Sequence, residues 1–370
     1  MQKYLHSYLP KICICNYRLQ RGVGKTTLIL QHIKLHHHYR DTLYVSADDL
    51  YFSDNSLFYL ASEFYKNGGK HLFIDEIHKY AEWSKELKMI YDNFSDLHVV
   101  FTGSSILDVY KGSDDLSRRV LSFYLQGMSF REYLNMSQGL QLPAYSLEDI
   151  IANRVELSGI EHPLTHFRSY LREGYYPFYK ESGYYERLNN VINLTLETDI
   201  PIFSKMNIST AQKLKQLLYI VSSSVPFKPN FTKIAEMIGV HRNQIVDFLY
   251  YFERAGIIAQ LRNDTNGIRL LGKVEKVYLD NTNLMYAIGE QRPDVGNIRE
   301  TFFFNQMRLN HQLFCSEVSD FKIDNYNFEV GGKNKTRKQI ADVENAFVVK
   351  DDIEYGYMKT IPLWAFGFNY

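Results

Sequence analysis

Cysteine is nearly absent. Cys13, Cys15 and Cys315 are the only three in 370 residues, neither the even set of a disulfide framework nor a paired C-x-x-C zinc ribbon. That usage fits a reducing cytoplasm, and Cys13 and Cys15, alternating on one expected strand, read as small buried residues. An excess of either charge is also missing: Lys plus Arg and Asp plus Glu both number 42. No global field therefore holds DNA or an anionic membrane, and any such affinity must come from local patches. No apolar run approaches the roughly 18 residues of a membrane span, and His6, Pro10, Lys11 and Asn16 interrupt the N-terminus before a signal-peptide core can form. Secretion and membrane insertion are excluded on that reading. The chain also lacks internal repeats and low-complexity tracts. What it has is 45% apolar and 15% aromatic residues, with 29 Tyr and 24 Phe. This is the composition of an ordered chain long enough for two or three domains.

Strand-like and helix-like runs alternate through the first third. Strands are expected at 11–16, 42–46, 71–75 and 98–102, with helices at 25–38 and 82–94, an order that builds a parallel α/β sheet. Trp83, Leu87, Ile90, Tyr91 and Phe94 share one helical face, which should pack on that sheet. Helical runs at 129–134, 147–157 and 185–198 then read as a lid. Helices at 211–221, 231–238 and 242–255, with a turn at Gly239 and strands at 257–261 and 268–279, follow the winged-helix pattern. The remainder, from Arg299, starts with a helix and alternates short strands with turns, as in a small α/β or α+β domain.

Between the first strand and first helix stands Arg21-Gly22-Val23-Gly24-Lys25-Thr26-Thr27. Glycines let backbone N–H groups close around phosphates, the helix N-terminus adds its dipole, Lys25 reaches the β and γ phosphates, and Thr26 ligates Mg²⁺. Gly22, Val23, Gly24, Lys25, Thr26 and Thr27 are thus the candidate ATP-binding residues. The full G-x-x-x-x-G-K-[ST] pattern wants glycine where Leu19 stands. Leu72-Phe73-Ile74-Asp75-Glu76 is an apolar strand ending in two carboxylates, suited to Mg²⁺ (Asp75, with Thr26) and to the attacking water (Glu76). Val99–Ser105 is a second strand ending in hydroxyls, with Ser104 placed to sense the γ-phosphate. Arg118 and Arg119 are candidate charge-stabilising groups, acting in cis or from a neighbouring subunit of a homo-oligomer.

These motifs resemble uncharacterised bacterial and archaeal AAA-type ATPases that carry a winged helix and a restriction-endonuclease-like C-terminal domain. The resemblance rests on RGVGKTTLILQ from Arg21, LFIDEIHKYAEW from Leu72, FTGSS from Phe101, DLSRRV from Asp115 and MSFREYL from Met128. EGYYP from Glu173 and FEVGGKNKTRKQI from Phe328 extend it. It implies an α/β fold with a P-loop AAA-type parallel sheet at 1–127, a helical lid at 128–205, a winged helix at 206–285 and a small nuclease-like α/β domain at 286–370. Residues before Gln20 look foreign to it, as if an altered or shifted N-terminus had been joined to an intact ATPase. The expected function is Mg²⁺-dependent ATP hydrolysis coupled to conformational change and to DNA, or, alternatively, nucleotide-gated binding without appreciable turnover, or DNA cleavage by the C-terminal domain.

In the C-terminal segment, Glu300, Asp320 and Glu329 suit a nuclease-type Mg²⁺ site, with Asp320 and Glu329 as the candidate ligands. Gly331 stands where such a site places its lysine, and Lys333 or Gln339 would have to substitute. The run Lys333, Lys335, Arg337, Lys338 offers a phosphate-binding patch for DNA. In the winged-helix segment, Ile245, Phe248, Leu249 and Phe252 form the buried stripe, leaving only His241, Arg242 and Asn243 to enter a groove. His36, His37 and His38 point in different directions from a helix and read as its surface end rather than a metal site.

Overall fold

A computed structural model describes residues 12–14, 22–103, 116, 119–123, 125–204, 208–224, 226–264, 273–289 and 293–370. Leu19, Arg21, Ser104, Arg118 and Cys15 lie outside them. The chain divides into two compact units, Met1–Gln126 with Ile202–Ser204, and Gly127–Pro201 with Lys205–Tyr370.

The first unit runs β1 (Ile12–Ile14), α1 (Lys25–His36), β2 (Thr42–Ser46), α2 (Leu57–Lys66), β3 (His71–Asp75), α3 (Trp83–Asn93), β4 (His98–Phe101) and β5 (Leu121–Ser122). Its strands lie in the order β2-β3-β4-β1-β5, every neighbouring pair parallel. Side-chain alternation sorts the sheet into two faces. Leu72, Ile74, Val99 and Phe101 pack with Leu57 and Ala61 of α2 and with Trp83, Leu87 and Ile90 of α3. Phe73 and Val100 pack with Ile29 of α1 on the other side. Both faces are covered, which is why the strands read as continuous apolar runs. Helix α2, which is not among the expected elements, places its apolar residues Leu57, Phe58, Leu60, Ala61, Phe64 and Tyr65 at helical spacing on one face. Glu86 of α3 joins the two helices: its carboxylate accepts the Phe58 N–H and the Tyr80 hydroxyl, each at 2.8 Å.

The second unit holds α4 (Phe130–Gln138), α5 (Leu147–Ile151), α6 (Pro163–Glu173), α7 (Tyr184–Leu194), α8 (Ile208–Ser224), α9 (Phe231–Ile238), α10 (Arg242–Arg254), β6 (Ile258–Asn263), β7 (Val274–Leu279), α11 (Thr282–Ile288), α12 (Val295–Met307) and strands β8 (Leu313–Cys315), β9 (Phe321–Ile323), β10 (Tyr326–Gly331), β11 (Ala346–Lys350) and β12 (Thr360–Pro362). All seven strands form one mixed sheet, β12-β11-β10-β9-β8-β6-β7. The β6–β7 hairpin is therefore not a free-standing wing, because β6 pairs in parallel with β8 through Arg262–Phe314 and Asn263–Cys315. The expected boundary at 285/286 cuts through this sheet. The helices expected to form a lid also belong to this unit's core. Ser129 and Arg131 bond the Tyr370 carbonyl at 2.9 and 2.8 Å, and Phe130 lies 6.0 Å from Phe368. Between helices and sheet runs α12, buried from Thr301 to Met307, with Phe302 against Phe167 at 4.8 Å and Phe303 against Phe321 at 5.0 Å. A helix enclosed on all sides needs no polar stripe, and the helix expected from Arg299 begins at Val295. Asn283, fully buried, satisfies all its polar capacity: Tyr175 N–H and the Tyr184 hydroxyl donate to Oδ1 (2.9 and 2.6 Å), and Nδ2 donates to the Tyr170 and Leu171 carbonyls (3.2 and 3.0 Å).

The histidine run departs from expectation at one position. His36 and His38 are exposed, but His37 turns inward. Its Nε2 lies 3.1 Å from His32 Nε2, its ring is 4.3 Å from that of His71, and His71 stacks on His98 at 5.3 Å. Burial and then His71 push His37 down to about 4, and burial and then His98 also lower His71, with Asp41 opposing in both cases. The unfolded chain takes up these protons near pH 6.5 while the fold does not. Stability fully present above that pH is thus lost as pH falls towards 4. Thermal melting of the whole chain should show a Tm lower by several degrees at pH 5 than at pH 7. This is about 1 to 2 kcal/mol once solvent screening of the half-exposed ring is allowed for. The fall should be visibly smaller in His37→Asn, and equal falls in both proteins would remove this cluster as the cause.

Candidate functional site

Strand β3 carries four apolar or half-buried residues and then a carboxylate. The period of two places Asp75 on the same face as Phe73, towards α1. Asp75 is 3% exposed, so its charge must be compensated locally. Four donors do so. The Thr26 hydroxyl donates to Oδ2 at 2.5 Å and the Tyr44 hydroxyl to the same oxygen at 3.1 Å. The Thr102 hydroxyl and the Glu76 N–H, at 3.1 Å, donate to Oδ1. Thr26 and Asp75, 49 residues apart, are thereby joined.

The described part of the phosphate loop begins at Gly22. Gly22 (φ 88°) and Gly24 (φ 91°) take left-handed conformations, which cost glycine little and turn the chain into α1. Val23 and Lys25 are buried, whereas Thr26 and Thr27 are exposed at the first turn. Glu76 has φ 51°, rare for a residue with a side chain, and caps the short turn Ile77–Lys79. Its Oε2 lies 3.5 Å from His78 Nε2. Ile77 N–H bonds the Thr102 carbonyl at 2.8 Å, tying the two strand ends together. Arg119 is engaged on α3, with Nε 3.0 Å from Asp92 Oδ1 and the guanidinium 5.6 Å from the Tyr91 ring centre. Thr102 and Tyr44 were not among the candidate residues. Thr102 directly follows β4, and Tyr44 lies two residues before Ser46, the register partner of Asp75. A hydroxyl on a neighbouring strand, facing the same side, is the signal that would have found Tyr44.

The sequence of the loop, both strand ends and their connection matches one known family. Residues 20–134 match the family model of an AAA domain. Nucleotide binding by this AAA domain follows from the family. A domain of unknown function (DUF8612) matches residues 164–294, across the expected boundary between lid and winged helix. An uncharacterized protein of Methanocaldococcus jannaschii, MJ1637, is 24% identical over 264 residues, 65% of this chain and 55% of that protein. The match thus spans about half of that relative's length. Among solved structures, the Walker-type ATPase PABY2304 of Pyrococcus abyssi aligns at 10% identity and a TM-score of 0.44, covering 78% of this chain and 93% of its own. The Orc1 protein of Aeropyrum pernix, in complex with DNA, gives 14% and 0.29 (78% and 88% covered). Cdc6p from Pyrobaculum aerophilum gives 15% and 0.29 (78% and 89% covered). None of these superpositions is close enough to bear on function. No helix among the described residues is long and apolar enough to cross a membrane.

In the second unit Glu300, Asp320 and Glu329 lie near one another, but lysines hold them. Lys276 Nζ is 2.9 Å from Glu300 Oε2 and 3.6 Å from Asp320 Oδ1, and Lys335 Nζ pairs with Glu329 Oε1. The expected stand-ins Lys333 and Gln339 are exposed instead. Lys335 lies across Gly331, where an added Cβ would stand 2.7 Å from its Cγ and Cδ, so a side chain at 331 would displace it. Among the described residues no group of three or more His, Cys, Asp or Glu side chains has metal-holding geometry. Burial raises the Glu329 carboxyl above its ordinary range and Asp320 adds to this, while Lys335 opposes it. Lys335→Ala should therefore cost about 3 kcal/mol at pH 7 by leaving a buried carboxylate unpaired. The loss should shrink at pH 5 as Glu329 takes up a proton; urea denaturation at both pH values measures it, and a loss independent of pH would show that only packing had been removed.

Proposed function

We propose that this protein hydrolyses ATP with Mg²⁺ through the AAA domain, using the energy for conformational change. The observation that carries the reading is the Thr26–Asp75 hydrogen bond, which brings the phosphate loop to the acidic end of β3. The residues present fit a Mg²⁺-nucleotide: two left-handed glycines free backbone N–H groups, Lys25 supplies the cation, and Thr26 and Asp75 supply hard oxygen ligands. Mg²⁺ would be held by Thr26 directly and by Asp75 through water, and when bound it neutralises charge on the phosphates. Lys25 would draw the β and γ phosphates to the start of α1. Glu76, its backbone fixed in a left-handed turn, would orient the attacking water and accept its proton. Ser104, Arg118 and Arg119 are proposed as phosphate-sensing and charge-stabilising groups; for Arg119 this requires leaving Asp92.

The nuclease alternative gains no support from carboxylates already paired with lysines. DNA remains the proposed macromolecular partner through Lys333, Arg337 and Lys338, which are exposed on one loop. Such binding should weaken steeply with salt.

Two substitutions test the ATPase reading. Lys25→Ala should abolish Mg²⁺-ATP binding in a calorimetric titration. Glu76→Gln should bind ATP as the parent does while steady-state hydrolysis falls at least about a hundredfold. Binding without turnover in the parent would favour a nucleotide-gated module instead.

A further inference from the structure

Asp75 offers its two oxygens to four donors, and a carboxylate has about four lone-pair sites. Every site is thus taken by the protein itself. A Mg²⁺-bound water that is to donate to Asp75 must replace one of these donors. The Glu76 N–H is main chain, fixed by the turn that follows β3. Thr102 is 1% exposed, and its backbone N–H and carbonyl are both committed, to the Ile74 carbonyl and the Ile77 N–H. Thr26 can ligate a metal through a lone pair while its O–H stays on Asp75. Tyr44 is the remaining donor. It is half-buried on β2, its ring packs beside Phe73, and its hydroxyl makes the longest of the three side-chain bonds to Asp75.

We propose that Tyr44 is a placeholder: its hydroxyl occupies the Asp75 lone pair that the metal's water takes when Mg²⁺-ATP binds. This rests on the ATPase reading above and adds a regulator to the same site. A phenol is an ordinary neutral donor near pH 7. In the nucleotide-free protein it compensates a desolvated carboxylate, and on binding it competes with the metal's hydration shell. Tyr44 is therefore a positioning residue that sets the Mg²⁺ requirement. Nothing in the proposal asks it to touch the phosphates.

The test is binding rather than turnover. Anisotropy of a fluorescent ATP analogue is followed across a Mg²⁺ titration in the Glu76→Gln background, with and without Tyr44→Phe. Loss of the hydroxyl should lower the half-saturating Mg²⁺ concentration about three- to tenfold, the equivalent of one ordinary hydrogen bond, and leave affinity in EDTA unchanged. The nucleotide-free variant should also melt several degrees lower than its parent, with circular dichroism confirming that it folds. An unchanged or raised Mg²⁺ requirement in Tyr44→Phe, with normal Mg²⁺ dependence in the parent, overturns the placeholder alone. A parent that fails to bind the analogue overturns the ATPase reading and this inference together.

Discussion

A charge buried at the end of a strand organises the first unit. Leaving Asp75 ionised in a nearly dry position would cost several kcal/mol without compensation, so the first turn of α1, the residue after β4, the turn after β3 and the middle of β2 must all send a donor to it. The order of the parallel strands makes this feasible, since β3 lies between β2 and β4. The fold and the chemistry are thus specified by the same contacts. Shifting β2 by one residue would carry Tyr44 to the opposite face and leave the carboxylate short of a donor.

A second, partly buried charge cluster is resolved differently. Around Glu300, Asp320 and Glu329 the counter-charges are Lys276 and Lys335, supplied by the chain itself. At Asp75 the compensation comes mostly from hydroxyls, groups that can turn and be replaced. Ammonium groups already seated on carboxylates leave less room for exchange. That contrast separates a site suited to a transient ligand from one suited to holding a fold.

Much of the first unit is legible in sequence because its forces are local. Strands covered on both faces appear as apolar runs, and α3 shows its stripe of Trp83, Leu87 and Ile90. The phosphate loop and Asp75-Glu76 announce themselves by residue type and spacing. Tyr44 does not, because its role depends on the parallel register Ser46–Asp75, which only pairing fixes. His37 reads as surface because His71, which its ring meets, and His98, which stacks on His71, come from two separate strands. Lys335, rather than the nearer Lys333, reaches Glu329 because the chain folds back across Gly331. The expected division near residue 285 fails for a similar reason. The bonds joining Arg262 and Asn263 to Phe314 and Cys315 span about fifty residues and leave no periodic trace.

The shared sheet has a consequence for how the second unit can evolve. A winged helix with its own hairpin can be exchanged between proteins as a cassette, since nothing else completes its sheet. Here β6 lies between β7 and β8, so the helices from Ile208 to Arg254 and the strands after Leu313 have to be inherited together. A recombination point between Ile288 and Val295 would leave β6 with a row of open N–H and C=O groups, the kind of edge that recruits other chains. Insertions are better accommodated at an exposed tip such as Met358, where the bonds between Tyr357 and Thr360 close the turn. New specificities would accordingly arise at such tips rather than by exchange of whole modules.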